Sequence, residues 1–204
     1  MSGRAPLQVL AVAGSLRAGS FNRALLRAAQ ALQPDGLQIE PFDLAPLPLF
    51  NQDLAGEHTP QPVQAWREAL WAADALLIAT PEYNHGVPGV LKNALDWASR
   101  PPGRQPLAGL PVAIMGATPN LWGTARAQAH LRQTLVYPDA RVLSQPEVLI
   151  AHAAQQFGPG GELLDPATRG FVHELLVALA DWSRQVGRVR PHPDPAAPPA
   201  EGVR

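Results

Sequence analysis

The residues with the clearest chemical potential lie in one stretch, Gly14-Ser15-Leu16-Arg17-Ala18-Gly19-Ser20-Phe21-Asn22-Arg23, between an apolar run and a helical pattern. A loop that joins a strand to a helix directs its free backbone N–H groups, and the positive end of the helix dipole, toward one spot. Two hydroxyls, an amide and a guanidinium surround that spot here. These are the donors that a phosphate needs, so the spacing predicts a phosphate site formed by Ser15, Arg17, Ser20 and Asn22.

This loop departs from two common nucleotide-binding patterns. It has no Gly-Lys-Ser/Thr, which disfavours hydrolysis of nucleoside triphosphates, and no Gly-x-Gly-x-x-Gly, which weakens a dinucleotide-binding interpretation. The simpler alternative is a polar turn in which a serine or asparagine caps the next helix. A cap accounts for one of the donors, but not for four donors and two glycines in nine positions.

A second unusual loop, Thr80-Pro81-Glu82-Tyr83-Asn84-His85-Gly86-Val87-Pro88-Gly89, follows the third apolar run. In a sheet of strand order 2-1-3-4-5, strands one and three flank the switch point where ligands bind. A loop bounded by prolines can present backbone groups edge-on to a planar ring, with Tyr83 as an aromatic wall. The alternative is that Pro and Gly merely mark a tight turn. A phosphate site beside a ring-binding loop suggests FMN.

The elements that position these loops follow from hydrophobic periodicity. Short apolar runs predict strands at Leu7–Ala13, Leu37–Phe42, Ala75–Thr80, Pro111–Ala117 and Arg141–Leu143, with a possible continuation at Val148–Ile150. Stripes at i, i+3 and i+4 between them predict amphipathic helices, with Val90–Ser99 and Gly123–Val136 among these. Apolar strands alternating with such helices indicate a doubly wound, three-layer α/β fold with a five-stranded parallel sheet.

Composition narrows the class of protein. The chain has 204 residues, 16 Lys plus Arg against 17 Asp plus Glu, and no cysteine. Near-zero net charge argues against a nucleic-acid partner, and the lack of cysteine excludes disulfides and thiolate chemistry. No leader or membrane-spanning pattern is seen, so we expect a cytoplasmic protein without a membrane partner. We expect one domain over residues 1–187 and a disordered Pro-rich tail over 188–204.

The two motifs resemble the NADPH-dependent FMN reductase family, and more narrowly its bacterial NAD(P)H quinone reductases, also described as chromate reductases. The resemblance rests on Gly14-Ser15-x-Arg17-x-x-Ser20-x-Asn22, on Pro81-Glu82-Tyr83-Asn84 and on Pro88-Gly89-x-Leu91-Lys92-Asn93-Ala94-Leu95-Asp96-Trp97. It extends from about Leu7 to Val186. It implies a flavodoxin-like fold.

The resemblance also implies a cofactor site. Residues that would hold the FMN phosphate are Ser15, Leu16, Arg17, Ser20, Phe21 and Asn22. Residues that would hold the isoalloxazine ring are Pro81, Glu82, Tyr83 and Asn84, with Gly116 and Thr118 at the end of strand four. Pro119 stands where relatives often have a small, flexible residue, which makes the transfer to Thr118 the least direct.

The activity implied is a two-electron, ping-pong transfer of hydride from NAD(P)H through the flavin N5 to quinones, chromate, azo compounds or flavins. No side chain needs to act as acid or base, and for Glu82 we expect the backbone to matter more than the carboxylate. The family implies a homodimer or homotetramer. The alternative function on the same fold is a flavodoxin-like electron carrier, which low charge and a single aromatic near the ring argue against.

Overall fold

A central parallel sheet organises the chain, of which the computed structural model describes residues 5–56, 58–101 and 103–187. The strands are β1 (Leu7–Ala13), β2 (Leu37–Phe42), β3 (Ala75–Ala79), β4 (Pro111–Ala117), β5 (Arg141–Val142) and β6 (Val148–Ile150). The order is β2-β1-β3-β4-β5, and all pairs are parallel. The predicted three-layer, doubly wound, flavodoxin-like fold is therefore confirmed.

Helices cover both faces of the sheet. They are α1 (Phe21–Ala31), α2 (Gln61–Ala72), α3 (Gly89–Ala98), α4 (Ala125–Thr134), α5 (Ala153–Gln156) and α6 (Pro166–Val186), with one 3₁₀ turn at Gln52–Leu54. Alternate residues of the central strands enter two separate cores because successive side chains of a strand point to opposite faces. Val9 and Leu77 pack toward α1 and α6, whereas Leu10 and Leu76 pack toward α2, α3 and α4.

Two short strands share the fifth position of the sheet. β5 pairs with the first residues of β4, and β6 pairs with its last three, Met115–Ala117. The predicted continuation of the fifth strand at Val148–Ile150 is thus a separate strand. Pro146 lies between the two and has no N–H to donate to a ladder. The opposite edge strand, β2, also contains a proline, Pro41.

The structure shifts some predicted boundaries by one or two residues. β3 ends at Ala79, and α4 begins at Ala125 because Thr124 has a φ of +70°, which a right-handed helix cannot contain. The turn-rich segment from Gln155 to Gly161 includes the end of the short helix α5. None of the described helices combines the length and apolar character needed to cross a bilayer. The predicted disordered tail, 188–204, lies outside the described residues.

Gly116 and Thr124 interlock at the carboxyl end of the sheet. A Cβ built on Gly116 would overlap the Thr124 hydroxyl and would lie 2.5 Å from the carbonyl oxygen of Thr80. Thr124 is fully buried, and its hydroxyl accepts a hydrogen bond of 3.1 Å from Gln128 Nε2. The strained threonine that starts α4 therefore occupies the space that a side chain on β4 would need.

This interlock predicts that Gly116→Ala lowers the free energy of unfolding by about 1–3 kcal/mol, as overpacking of a rigid core usually does. Gly170 in α6 is the matched control, because a Cβ there meets nothing within 4 Å. Gly170→Ala should raise the free energy of unfolding by about 0.5–1 kcal/mol through its better helix propensity. Urea titration followed by circular dichroism measures both values, and equal effects of the two variants would contradict the interlock.

Candidate functional site

The loop after β1 leaves a row of backbone donors open. Ser20 caps α1, its Oγ accepting from the N–H of Asn22 at 3.2 Å and of Arg23 at 3.4 Å. Within the described residues, no acceptor takes up the N–H groups of residues 15–19. Arg17 is exposed beside them and forms no ion pair with any described carboxylate. These groups together offer an anion a set of donors at a helix N-terminus.

Asn22 fixes this loop to the end of β4. Its side chain is 2% exposed, and its amide pairs with both backbone groups of Ala117. Nδ2 donates to the Ala117 carbonyl oxygen at 2.8 Å, and Oδ1 accepts from the Ala117 N–H at 2.9 Å. The pairing leaves one Nδ2 hydrogen for a ligand. Asn22 thus joins two loops that lie 95 positions apart in the chain.

The loop after β3 folds back in a two-residue turn. Tyr83 and Gly86 exchange backbone hydrogen bonds of 3.3 and 2.9 Å, and the central residues Asn84 and His85 have φ values of +50° and +60°. Two successive positive φ angles are typical of a type I′ turn, for which His85 is an unfavourable residue. Both central residues of the turn are exposed.

Two contacts hold the loop after β3 against the loop after β1. The Tyr83 hydroxyl donates to Ser15 Oγ at 3.2 Å. A Cβ built on Gly14 would lie 3.0 Å from Pro81 Cδ, so glycine permits the close approach of the two loops. The two loops that flank the switch point of the sheet are therefore in direct, close contact.

Glu82 connects the same loop to the start of α4. Its carboxylate accepts from the Arg126 N–H at 3.0 Å, from the Ala127 N–H at 3.2 Å and from Arg126 Nη1 at 3.1 Å. It thereby satisfies N–H groups that every helix leaves open in its first turn. Burial raises the pKa of Glu82, but these hydrogen bonds and the charge of Arg126 bring the pKa below its ordinary value.

Most of the sequence-predicted site residues line one cavity of about 230 Å³. Those that do are Ser15, Arg17, Ser20, Phe21, Asn22, Pro81, Glu82, Tyr83 and Thr118. Asn84 lines a neighbouring chamber instead. Leu16 is exposed, with its carbonyl accepting from Arg23 at 3.4 Å, and Gly116 lies buried within β4. The structure brings neither Leu16 nor Gly116 to the wall of the cavity.

The neighbouring space, which we name the outer chamber, measures about 440 Å³. Its walls are formed by Glu82, Asn84, His85, Asn120, Leu121, Trp122 and Arg126. Glu82 and Asn120 line both spaces, so the two adjoin, and we call the pair the cleft. The sequence motifs did not identify the contribution of residues 120–126. The signal available in the sequence was a Leu-Trp pair between Pro-Asn and Gly, in a segment that follows a predicted strand.

The cleft has three parts with different chemistry. The inner end offers hydroxyls, free N–H groups and a guanidinium, which suit a phosphate. The middle is bounded by Pro81, Tyr83 and Thr118, and suits a flat ring seen edge-on by backbone groups. The outer chamber is open to a second molecule. A flat cofactor with a phosphate tail matches the first two parts.

Comparison with known proteins gives a consistent result. The family model described as NADPH-dependent FMN reductase matches residues 7–155. The NAD(P)H-dependent FMN reductase of Pseudomonas aeruginosa is 50% identical over 180 residues, which cover 88% of this chain and 97% of that protein. The 2-hydroxy-1,4-benzoquinone reductase of a Burkholderia species is 40% identical over 178 residues, covering 87% and 97% respectively.

A solved structure shares the same architecture. The flavoenzyme NAD(P)H:(acceptor) oxidoreductase FerB of Paracoccus denitrificans superposes with a TM-score of 0.81 at 34% identity. The match covers 88% of this chain and 98% of that one. The similarity therefore extends over most of the chain.

The Glu82 contacts predict a pH-dependent contribution to stability. Because the pKa of Glu82 is lowered on folding, its contribution is complete above the ordinary carboxyl pKa of about 4.3. This contribution to stability is lost as the pH falls through the lowered pKa of Glu82. Glu82→Gln should therefore reduce the free energy of unfolding by about 1–2 kcal/mol at pH 7, and by progressively less below pH 4.

Urea titrations between pH 3 and pH 7 measure this difference. Glu174→Gln, at an exposed position on α6, is the control and should change the free energy of unfolding by less than about 0.5 kcal/mol at any pH. A deficit of Glu82→Gln that stays constant down to pH 3 would show that the carboxylate charge is not the cause.

Proposed function

Because the chain belongs to the NADPH-dependent FMN reductase family, and is an oxidoreductase that uses FMN with NAD(P)H, we propose that it reduces quinones and related acceptors by a two-electron, ping-pong reaction. The observation that carries the proposal is the pair of adjoining spaces at the carboxyl ends of β1, β3 and β4. It joins a phosphate cradle, a slot for a ring and an open outer chamber. The quinone acceptor is further supported by the names of the related reductases.

The cradle residues fit the phosphate of FMN. The unpaired N–H groups of residues 15–19 lie at the N-terminus of α1, where the helix dipole favours negative charge. Ser15 Oγ accepts from Tyr83, which leaves its own hydrogen free to donate, and Arg17 supplies a full positive charge. We propose that Ser15, Arg17, Ser20 and Asn22 bind the phosphate, with Phe21 packing beside them.

The loop after β3 fits the ring. Pro81, Tyr83 and Thr118 line the inner space, and Asn84 lines the outer chamber beside it. The carboxylate of Glu82 is turned toward the start of α4 and is occupied by three donors. Its backbone therefore remains the part available to the ring. We propose that N–H groups near Asn84 donate to the ring edge.

The protein's contribution to the reaction is placement and electrostatics. When bound, FMN supplies the transfer of two electrons from NAD(P)H to the acceptor. The packed loops would hold the ring, and the donors of the loop after β1 would neutralise the phosphate. The outer chamber admits NAD(P)H and the acceptor in turn. The homodimer or homotetramer and the cytoplasmic location expected from the sequence stay predictions.

The visible absorption spectrum of the purified protein, reconstituted with FMN and desalted, tests the proposed function directly. We expect a retained flavin spectrum that NAD(P)H bleaches without air and that a stoichiometric quinone restores. Restoration should be complete in one step because the transfer involves two electrons. An accumulating semiquinone on photoreduction, with no bleaching by NAD(P)H, would instead indicate the electron carrier. Loss of all flavin on desalting would reject the cofactor site.

The role of Arg17 is tested by comparing FMN with riboflavin, which has the same ring and no phosphate. A charged hydrogen bond contributes about 1.5–3 kcal/mol, so Arg17→Gln should weaken FMN binding about ten- to a hundredfold and leave riboflavin binding unchanged. Arg184→Gln, on the surface of α6, is the control and should affect neither ligand. Equal weakening of both ligands by Arg17→Gln would show a structural effect rather than phosphate binding.

A further inference from the structure

The outer chamber has an aromatic wall that the ring site does not use. Trp122 is 57% exposed and Leu121 is 65% exposed, side by side in the loop that leads to α4. Arg126 covers one face of this indole, and the exposed remainder is available for contact with a flat molecule. The loop is held from below, because Gly123 packs against the backbone of Leu149 so closely that a Cβ would lie 2.8 Å from it.

A positive charge is fixed against this wall. The guanidinium carbon of Arg126 lies 4.5 Å from the centroid of the Trp122 ring, at cation–π distance. Arg126 Nη1 is also bound to Glu82 at 3.1 Å, while the arginine side chain stays 35% exposed. Arg126 is thus oriented by two contacts and still presents donors to the chamber.

The chamber is richer in donors than in acceptors. Its one carboxylate, Glu82, accepts three hydrogen bonds from the start of α4. The other polar lining side chains are those of Asn84, His85 and Asn120, all exposed and all able to donate. A ligand there finds an aromatic face, a guanidinium and neutral donors. A negatively charged group on a flat ring is the best complement to that set.

We propose that the outer chamber selects electron acceptors in which an aromatic ring carries a negatively charged substituent. Trp122 stacks on the ring, and Arg126 pairs with the charged group. The inference rests on the proposed function, since it names the acceptor class for that same cleft. Trp122 and Arg126 are specificity-determining residues in this proposal.

A matched pair of acceptors tests the charge preference in the FMN-loaded protein. The ratio of kcat/KM for 1,4-naphthoquinone-2-sulfonate to that for 1,4-naphthoquinone is measured in each variant, so differences in acceptor potential cancel. Arg126→Gln should lower this ratio about tenfold, and Arg126→Lys should restore most of it by returning the charge. Trp122→Leu should lower both kcat/KM values about three- to tenfold. Trp182→Leu, on α6, is the control and should change neither value.

Binding without turnover provides a second readout that does not depend on activity. Calorimetric titration of the FMN-loaded protein with naphthalene-2-sulfonate should show saturable binding, about tenfold weaker in Arg126→Gln and in Trp122→Leu. Titration with 2-naphthol should show weaker binding that depends on Trp122 alone. Equal binding of the two probes, or equal losses for both in Arg126→Gln, would overturn the charge preference.

The outcomes also separate this inference from the proposed function. Each variant is first checked for a retained flavin spectrum and for bleaching by NAD(P)H, which report on the proposed function alone. If both are intact and the acceptor ratio is unchanged in Arg126→Gln, the inference is wrong and the function stands. If instead the KM for NADPH rises while the ratio is unchanged, the chamber binds the nucleotide phosphates, and the proposed acceptor site is rejected.

Discussion

The two hydrogen bonds between the Asn22 amide and the backbone of Ala117 are the constraint on which the rest of the site depends. They are buried, and they fix the first turn of α1 to the end of β4. The loop after β3 lies between these two elements and packs on Gly14. Because buried polar groups are costly to leave unpaired, a displaced α1 would lose both bonds at once. The pairing therefore holds the loops at the carboxyl end of the sheet in one arrangement.

Three of the five described non-glycine residues with positive φ angles lie around the same cleft. Asn84, His85 and Thr124 all have positive φ angles without being glycine. Each such residue costs of the order of 1 kcal/mol or more and persists only where neighbouring contacts determine it. Tyr83 and Gly86 close the turn that contains the first two, and the packing of Thr124 over Gly116 fixes the third. The shape of the outer chamber is thus maintained by interactions outside it.

The sequence could predict what depends on local pattern. The strand Leu7–Ala13 and the helix after it each follow a regular hydrophobic pattern. The donors of the first loop are also neighbours in the chain. The contribution of Trp122 and Arg126 could not be predicted in this way, because Arg126 reaches the site through Glu82, 44 positions earlier. The hydrogen bonds of the Glu82 carboxylate could not be predicted from the sequence for the same reason. Contacts between loops depend on the tertiary arrangement. Hydrophobic periodicity predicts only the class of fold.

The interrupted edges of the sheet have a consequence for how copies of the chain can associate. At one edge, β5 and β6 are too short to offer a continuous ladder, and at the other, Pro41 removes a donor from β2. Edge strands of this kind resist pairing with a strand from another molecule. A second copy would meet helices rather than an open strand. In the described part of the chain these edges therefore disfavour growth by strand addition, and they favour association through helical faces.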